Sequence, residues 1–107
     1  MLEPGLDMHE WESQWQQLEE DLESSPAEAL PEVDRLIREM LEARGYELED
    51  PVVREGDERD IVAEYLAARE ITRAVDRGAD VENEDIQEAV EHYRALHDYL
   101  IEERPAP

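Results

Sequence analysis

Residues 83–102, NEDIQEAVEHYRALHDYLIE, decide the fold class. Ile86, Ala89, Val90, Tyr93, Leu96, Leu100 and Ile101 recur at spacings that gather them on one arc of a helix, at about 100° per residue. Most of the remaining positions are charged or amide side chains, so one face of this segment seeks a core and the rest seeks water. Asn83, a favourable N-cap residue, opens it.

The preceding segment, from about Asp57 to Arg77, repeats the logic. Ile61, Tyr65, Ala68, Ile71 and Val75 form its apolar face, widened by Val62 and Leu66, and Gly78 supplies a stop. Further back, Ser25-Pro26-Ala27-Glu28 has the shape of a capping box with proline at the first helical position. Pro31 lacks an N–H and crowds the turn before it, so the main helix is expected to start there and run to Arg44. Val33, Leu36, Ile37, Met40 and Leu41 line its inner face, and Gly45 ends it. The first segment, about Met8 to Glu23, places Trp11, Trp15, Leu18 and Leu22 on one narrow stripe among Glu, Asp and Gln.

Nowhere is period-two alternation sustained, and the four segments do not repeat one another. The expected architecture is all-α: a small bundle of about four helices in one domain over 1–107, with the first helix the most peripheral member. Residues 1–7 and 103–107 are expected to lack fixed structure. Residues 46–56 read as a connector held on the core by Tyr46, Leu48, Val52 and Val53.

Charge dominates the composition. Thirty-two acidic residues face ten arginines, with no lysine, for a formal net charge of −22 over 107 residues. Such a surface repels nucleic acid and anionic membranes, favours basic partners, and makes folding salt-dependent through self-repulsion. It also suits a salty cytoplasm. Arginine without lysine and glutamate in excess resembles the composition of small proteins from GC-rich bacterial genomes, a likeness without a motif. The absence of cysteine excludes disulfides and thiol chemistry. The longest apolar run is short, Tyr65 to Ala68, no basic residue precedes Arg35, and the chain is read as cytoplasmic.

Three constellations invite a functional reading. A Trp/Leu stripe (Trp11, Trp15, Leu18, Leu22) on an acidic helix suits docking into an apolar groove with a basic rim, on a partner protein or a second copy, or packing on the chain's own bundle. Arg69, Arg73 and Arg77 climb one flank of the third segment at i, i+4 and i+8. They form a candidate ion-pair stripe. Such a row could grip phosphates or carboxylates of a ligand bidentately, but pairing within the fold is the leading expectation, in which case carboxylates of the first helix would be anchored by it. His97 sits within the apolar arc of the last segment. It reads as a core histidine with one hydrogen bond, with a pH switch or metal ligand as the sharper alternative.

No residues are assigned to catalysis or to a metal, and no cofactor is implied. Glu-x-x-His pairs for a di-iron bundle are missing, as is any glycine-rich phosphate loop. Glu55/Glu58 and Glu82/Asp85 match the ExxE and ExxD spacings of helical metal-dependent nucleotide hydrolases, and in this they resemble the MazG type. That resemblance implies a Mg²⁺-dependent phosphohydrolase as the alternative function. A further alternative is a nucleic-acid mimic, with Glu19, Glu20, Asp21 and Glu23 presenting the charge. The leading expectation is a non-catalytic protein that binds another protein or itself.

Overall fold

In this computed structural model the backbone is described over residues 4–46, 48 and 56–102, and side chains over 10–46, 48 and 60–101. Four α-helices account for nearly all of it: α1 Pro4–Ser24, α2 Pro26–Ala43, α3 Gly56–Asp76 and α4 Asn83–Glu102. The described residues contain no strand, and the chain forms a small all-α bundle. Its radius of gyration, 13.9 Å, is close to the ~13 Å of a compact chain of this length.

Local chemistry sets the helix ends. At the C-terminus of α2, Gly45 (φ 90°) donates its N–H to the Glu42 carbonyl and Tyr46 donates to the Leu41 carbonyl. At the end of α3, Gly78 (φ 81°) donates to Val75 and Ala79 to Ala74. Both are Schellman closures, in which a left-handed residue turns the chain back onto the last carbonyls, and glycine takes that conformation without a Cβ clash.

Several sequence expectations need correction. α1 begins at Pro4, so residues 4–7 belong to a helix; residues 1–3 and 103–107 lie outside the described residues. α2 does not wait for Pro31 but runs through it from Pro26. Pro31 removes one bond, that to the Ala27 carbonyl, on an exposed face, while Ala29, Leu30 and Val33 are buried on either side of it. Apolar burial here outweighs one lost bond whose carbonyl can turn to water. The expected capping box is also absent, because the Ser25 side chain makes no cap bond. α4 is entered one residue early, with the Glu82 carbonyl accepting from Ile86 N–H.

Tertiary pairings fix the helix directions. Glu19 meets Arg94 while Trp15 meets His97, so α1 and α4 run antiparallel. Asp34 meets Tyr93 and Arg44 meets Leu100, so α2 and α4 run parallel. α2, α3 and α4 pack on one another in all three combinations, whereas α1 packs chiefly on α2 and reaches α4 at its edge. The core is continuous, from Trp15, Leu18 and Leu22 on α1 through Leu30, Ile37, Met40 and Leu41 on α2 to Val62, Tyr65, Leu96 and Leu100 on α3 and α4. Leu48 of the connector is buried with them and Tyr46 packs alongside; Val52 and Val53 lie outside the described residues. Arg44 donates from Nη2 to the Leu100 carbonyl at 2.7 Å, placing a cation at the negative end of α4. Among the described residues, no helix is long and apolar enough to cross a membrane.

Candidate functional site

The Trp/Leu stripe of α1 is folded inward. Trp15, Leu18 and Leu22 retain 7%, 6% and 4% of their exposure, and Trp11 packs partly buried at the edge. Three of the four candidate docking residues are therefore part of the chain's own core, and what α1 offers to solvent is the opposite face. That face exposes Glu10, Glu12, Glu20, Asp21 and Glu23, with no lysine or arginine anywhere on the helix. α1 is peripheral in its packing partners, and its inner stripe, though buried, keeps slightly more exposure than most core positions of α2.

Where α1 turns into α2, a cleft of about 250 Å³ is lined by Asp21, Ser24, Ser25, Glu28, Ala29 and Glu32. Ala29 is its buried apolar member; the other five residues are exposed and polar, three of them carboxylates. The cleft straddles the one-residue link at Ser25 between α1 and α2.

A second polar cluster ties α2, α3 and α4 together. The phenol of Tyr65 donates to Asp34 Oδ2 at 3.1 Å and that of Tyr93 to Asp34 Oδ1 at 2.8 Å. The Tyr93 oxygen also lies 2.6 Å from Thr72 Oγ1, which donates in turn to, or shares its proton with, the Ala68 carbonyl at 3.1 Å. Both tyrosines are fully buried. Burial first, and the Asp34 carboxylate second, push both phenols above their ordinary range, so they remain donors. Nothing in the sequence singled out Asp34 among 32 acidic residues. The available signal was the two tyrosines themselves, central in their apolar arcs and each obliged to find a partner for its hydroxyl.

The arginine row does not anchor α1. Arg69, Arg73 and Arg77 make no ion pair with a described carboxylate, and Arg69 instead lies over the Tyr65 ring at 5.6 Å. The reason is topological: the row stands on α3, whose main packing partners are α2 and α4. The tie to α1 comes from α4, where Arg94 forks onto Glu19 through Nε (3.2 Å) and Nη2 (3.1 Å). Both partners are about a third or more exposed (41% and 32%), so the pair is a modest one. In urea melts, Arg94→Ala is expected to cost at most about 1 kcal/mol and Arg73→Ala to stay within about 0.5 kcal/mol of the parent. A larger loss at Arg73 than at Arg94 would return the anchoring role to the row.

His97 is buried, with its ring stacked on Trp15 at 4.1 Å between centroids and 9° between planes. Its Nδ1 lies 3.4 Å from Asp98 Oδ1, and its Nε2 is buried without a partner among the described residues. His92 sits apart, between Glu64 (3.1 Å) and Glu88 (3.7 Å), one carboxylate at each ring nitrogen.

Of the two carboxylate pairs that match the hydrolase spacing, Glu55 and the side chain of Glu58 lie outside the described residues. Glu82 and Asp85 are exposed where α4 begins. Among the described residues, no group of three or more His, Asp or Glu side chains is arranged to hold a metal ion. Comparison of the chain with protein families, with curated proteins and with solved structures finds no match.

Proposed function

We propose that this protein acts by binding, without catalysis, a partner protein that presents a basic surface, and that the face built by α1 and the start of α2 receives it. The observation that carries the reading is the inward folding of the Trp/Leu stripe, which leaves α1 an outer surface that is acidic and, among the described residues, neutralised by an ion pair at Glu19 alone. The cleft at the α1–α2 turn adds shape to charge. Three carboxylates and two serine hydroxyls around an open cleft suit the cationic head of an arginine or lysine side chain, whose donors need several acceptors at once. Ser25 keeps its hydroxyl for such a contact because it makes no helix-capping bond. The long-range field of a chain with net charge −22 would speed the encounter, and the cleft would supply the specificity.

The test compares two triple variants for binding to an arginine- and lysine-rich helical peptide, followed by titration calorimetry. Asp21→Asn, Glu28→Gln and Glu32→Gln together empty the cleft of charge; Glu39→Gln, Glu84→Gln and Glu91→Gln remove the same charge elsewhere on the exposed surface. The cleft variant is expected to bind at least about tenfold more weakly than the control variant, a difference of about 1.4 kcal/mol. Equal losses in the two would reduce the binding to net charge alone and end the proposal for this face.

A further inference from the structure

The seam between α1 and α4 is held by a histidine in an unusual setting. His97 is nine-tenths buried at its side chain (9% exposed), stacked flat on Trp15, and its Nε2 has no hydrogen-bond partner among the described residues. A neutral imidazole tolerates that setting, because one unpaired nitrogen lone pair or N–H is a limited cost. An imidazolium does not, because both nitrogens then carry protons and the charge has left water. The same seam is the thin one in the fold: α1 meets α4 through the Trp15–His97 stack and the Arg94–Glu19 pair, while α2, α3 and α4 pack mutually. A change at His97 thus acts on the helix with the fewest packing partners.

We infer that His97 is a pH-sensitive latch: neutral, it seats α1 through Trp15, and on protonation it releases the Trp-bearing edge of α1 from α4. This inference is independent of the basic-partner reading, since it concerns the inner face of α1 and not the outer one.

The surrounding charges must be weighed. Glu12 and Glu19 on α1 and Asp98 on α4 all favour the protonated ring, and Arg94, one turn earlier on α4, is engaged with Glu19. Burial is the largest influence and works the other way, holding the imidazole below its ordinary value of 6.5. The sign follows. When α1 is released, His97 regains water and titrates near 6.5; when α1 is seated, it titrates lower. The released state therefore binds the proton first as pH falls, so seating is fully supported above 6.5 and is progressively lost between 6.5 and the lower seated value.

Trp11 and Trp15 are the only tryptophans in the chain, and both lie on α1, so fluorescence reads the latch directly. Emission maximum and acrylamide accessibility are the readouts, because a stacked imidazolium quenches intensity by itself. Between about pH 7.5 and about pH 5, the wild type is expected to shift to the red and become more accessible. His97→Phe, which keeps a ring against Trp15 but cannot titrate, is expected to stay blue and protected throughout, with far-UV circular dichroism at the higher pH establishing its fold. His92→Gln is expected to follow the wild type. A proton NMR titration of His97 in the unmodified chain gives a second measure that needs no variant, and its midpoint is expected to coincide with the fluorescence transition. A flat wild-type curve, a His97→Phe curve that follows the wild type, or midpoints that differ would each overturn the inference.

Discussion

Asp34→Ala is expected to lower the unfolding free energy by about 2–4 kcal/mol, measured by urea denaturation followed by circular dichroism. A surface aspartate on a chain of net charge −22 would ordinarily be removed at no cost, or at a gain. Asp34 differs because each of its oxygens accepts from a tyrosine, one on α3 and one on α4, and both rings are fully buried. Removing it strands the Tyr65 hydroxyl, whose hydrogen bond is to Asp34, and leaves Tyr93 with Thr72 alone. The stranded donor, more than the lost attraction, sets the magnitude. The assignment predicts a specific non-additivity. Tyr65→Phe in the Asp34→Ala background should recover part of the loss, whereas Tyr65→Phe alone should be destabilising. Additive losses, or an Asp34→Ala protein as stable as the parent, would show that the three helices are held without this cluster.

Trp15→Ala should cost more, about 3–5 kcal/mol, within the range for truncating a large buried aromatic. Trp15 keeps only 7% of its exposure and supplies one ring of the stack with His97, so its removal leaves a void and exposes an imidazole. Trp11→Ala, one turn earlier and only partly buried, should cost clearly less. For a chain whose total stability is of the order of 5–15 kcal/mol, the Trp15 loss is a large fraction. The loss should be uneven. Amide exchange should rise first along α1 and the facing edges of α2 and α4, because α1 contributes to the core through one face and α2, α3 and α4 retain their mutual packing. Similarly small costs for the two tryptophans, each below about 1 kcal/mol, would indicate that the stripe is exposed along its length and would reopen it as a docking surface for a partner.

How much of this was legible beforehand varies by kind of feature. The inner faces of α2 and α4 followed from spacing: Val33, Leu36, Ile37, Met40 and Leu41 of α2, and Ala89, Val90, Tyr93, Leu96 and Leu100 of α4, are all buried. On α3 the buried positions are Val62, Tyr65, Ala68 and Thr72, while Ile61, Ile71 and Val75 of the expected face are half-buried. Gly45 and Gly78 were legible as stops because a positive φ is a property of the residue. The candidate site was far less so. The cleft at Asp21, Glu28 and Glu32 is lined from both sides of the link at Ser25, and how two helices meet across such a link is not encoded in any residue pattern. Pro31 misled for a related reason. Propensity penalises it locally, but the neighbouring buried residues, whose benefit is tertiary, carry the helix through.

By itself the sequence determined that the chain is helical, which side of each helix seeks a core, where α2 and α3 end, and that its field is strongly negative. These are properties of single residues and of their spacing at about 3.6 per turn. Only the tertiary structure decided which helix meets which. It gave the Glu19 tie to Arg94 on α4 and not to the arginine row on α3, joined Tyr65 and Tyr93 on one carboxylate, set His97 against Trp15, and closed the Trp/Leu stripe inside the bundle. Periodicity fixes a direction around one helix axis; partners, distances and burial depend on how several axes are arranged in space, which a one-dimensional pattern does not specify.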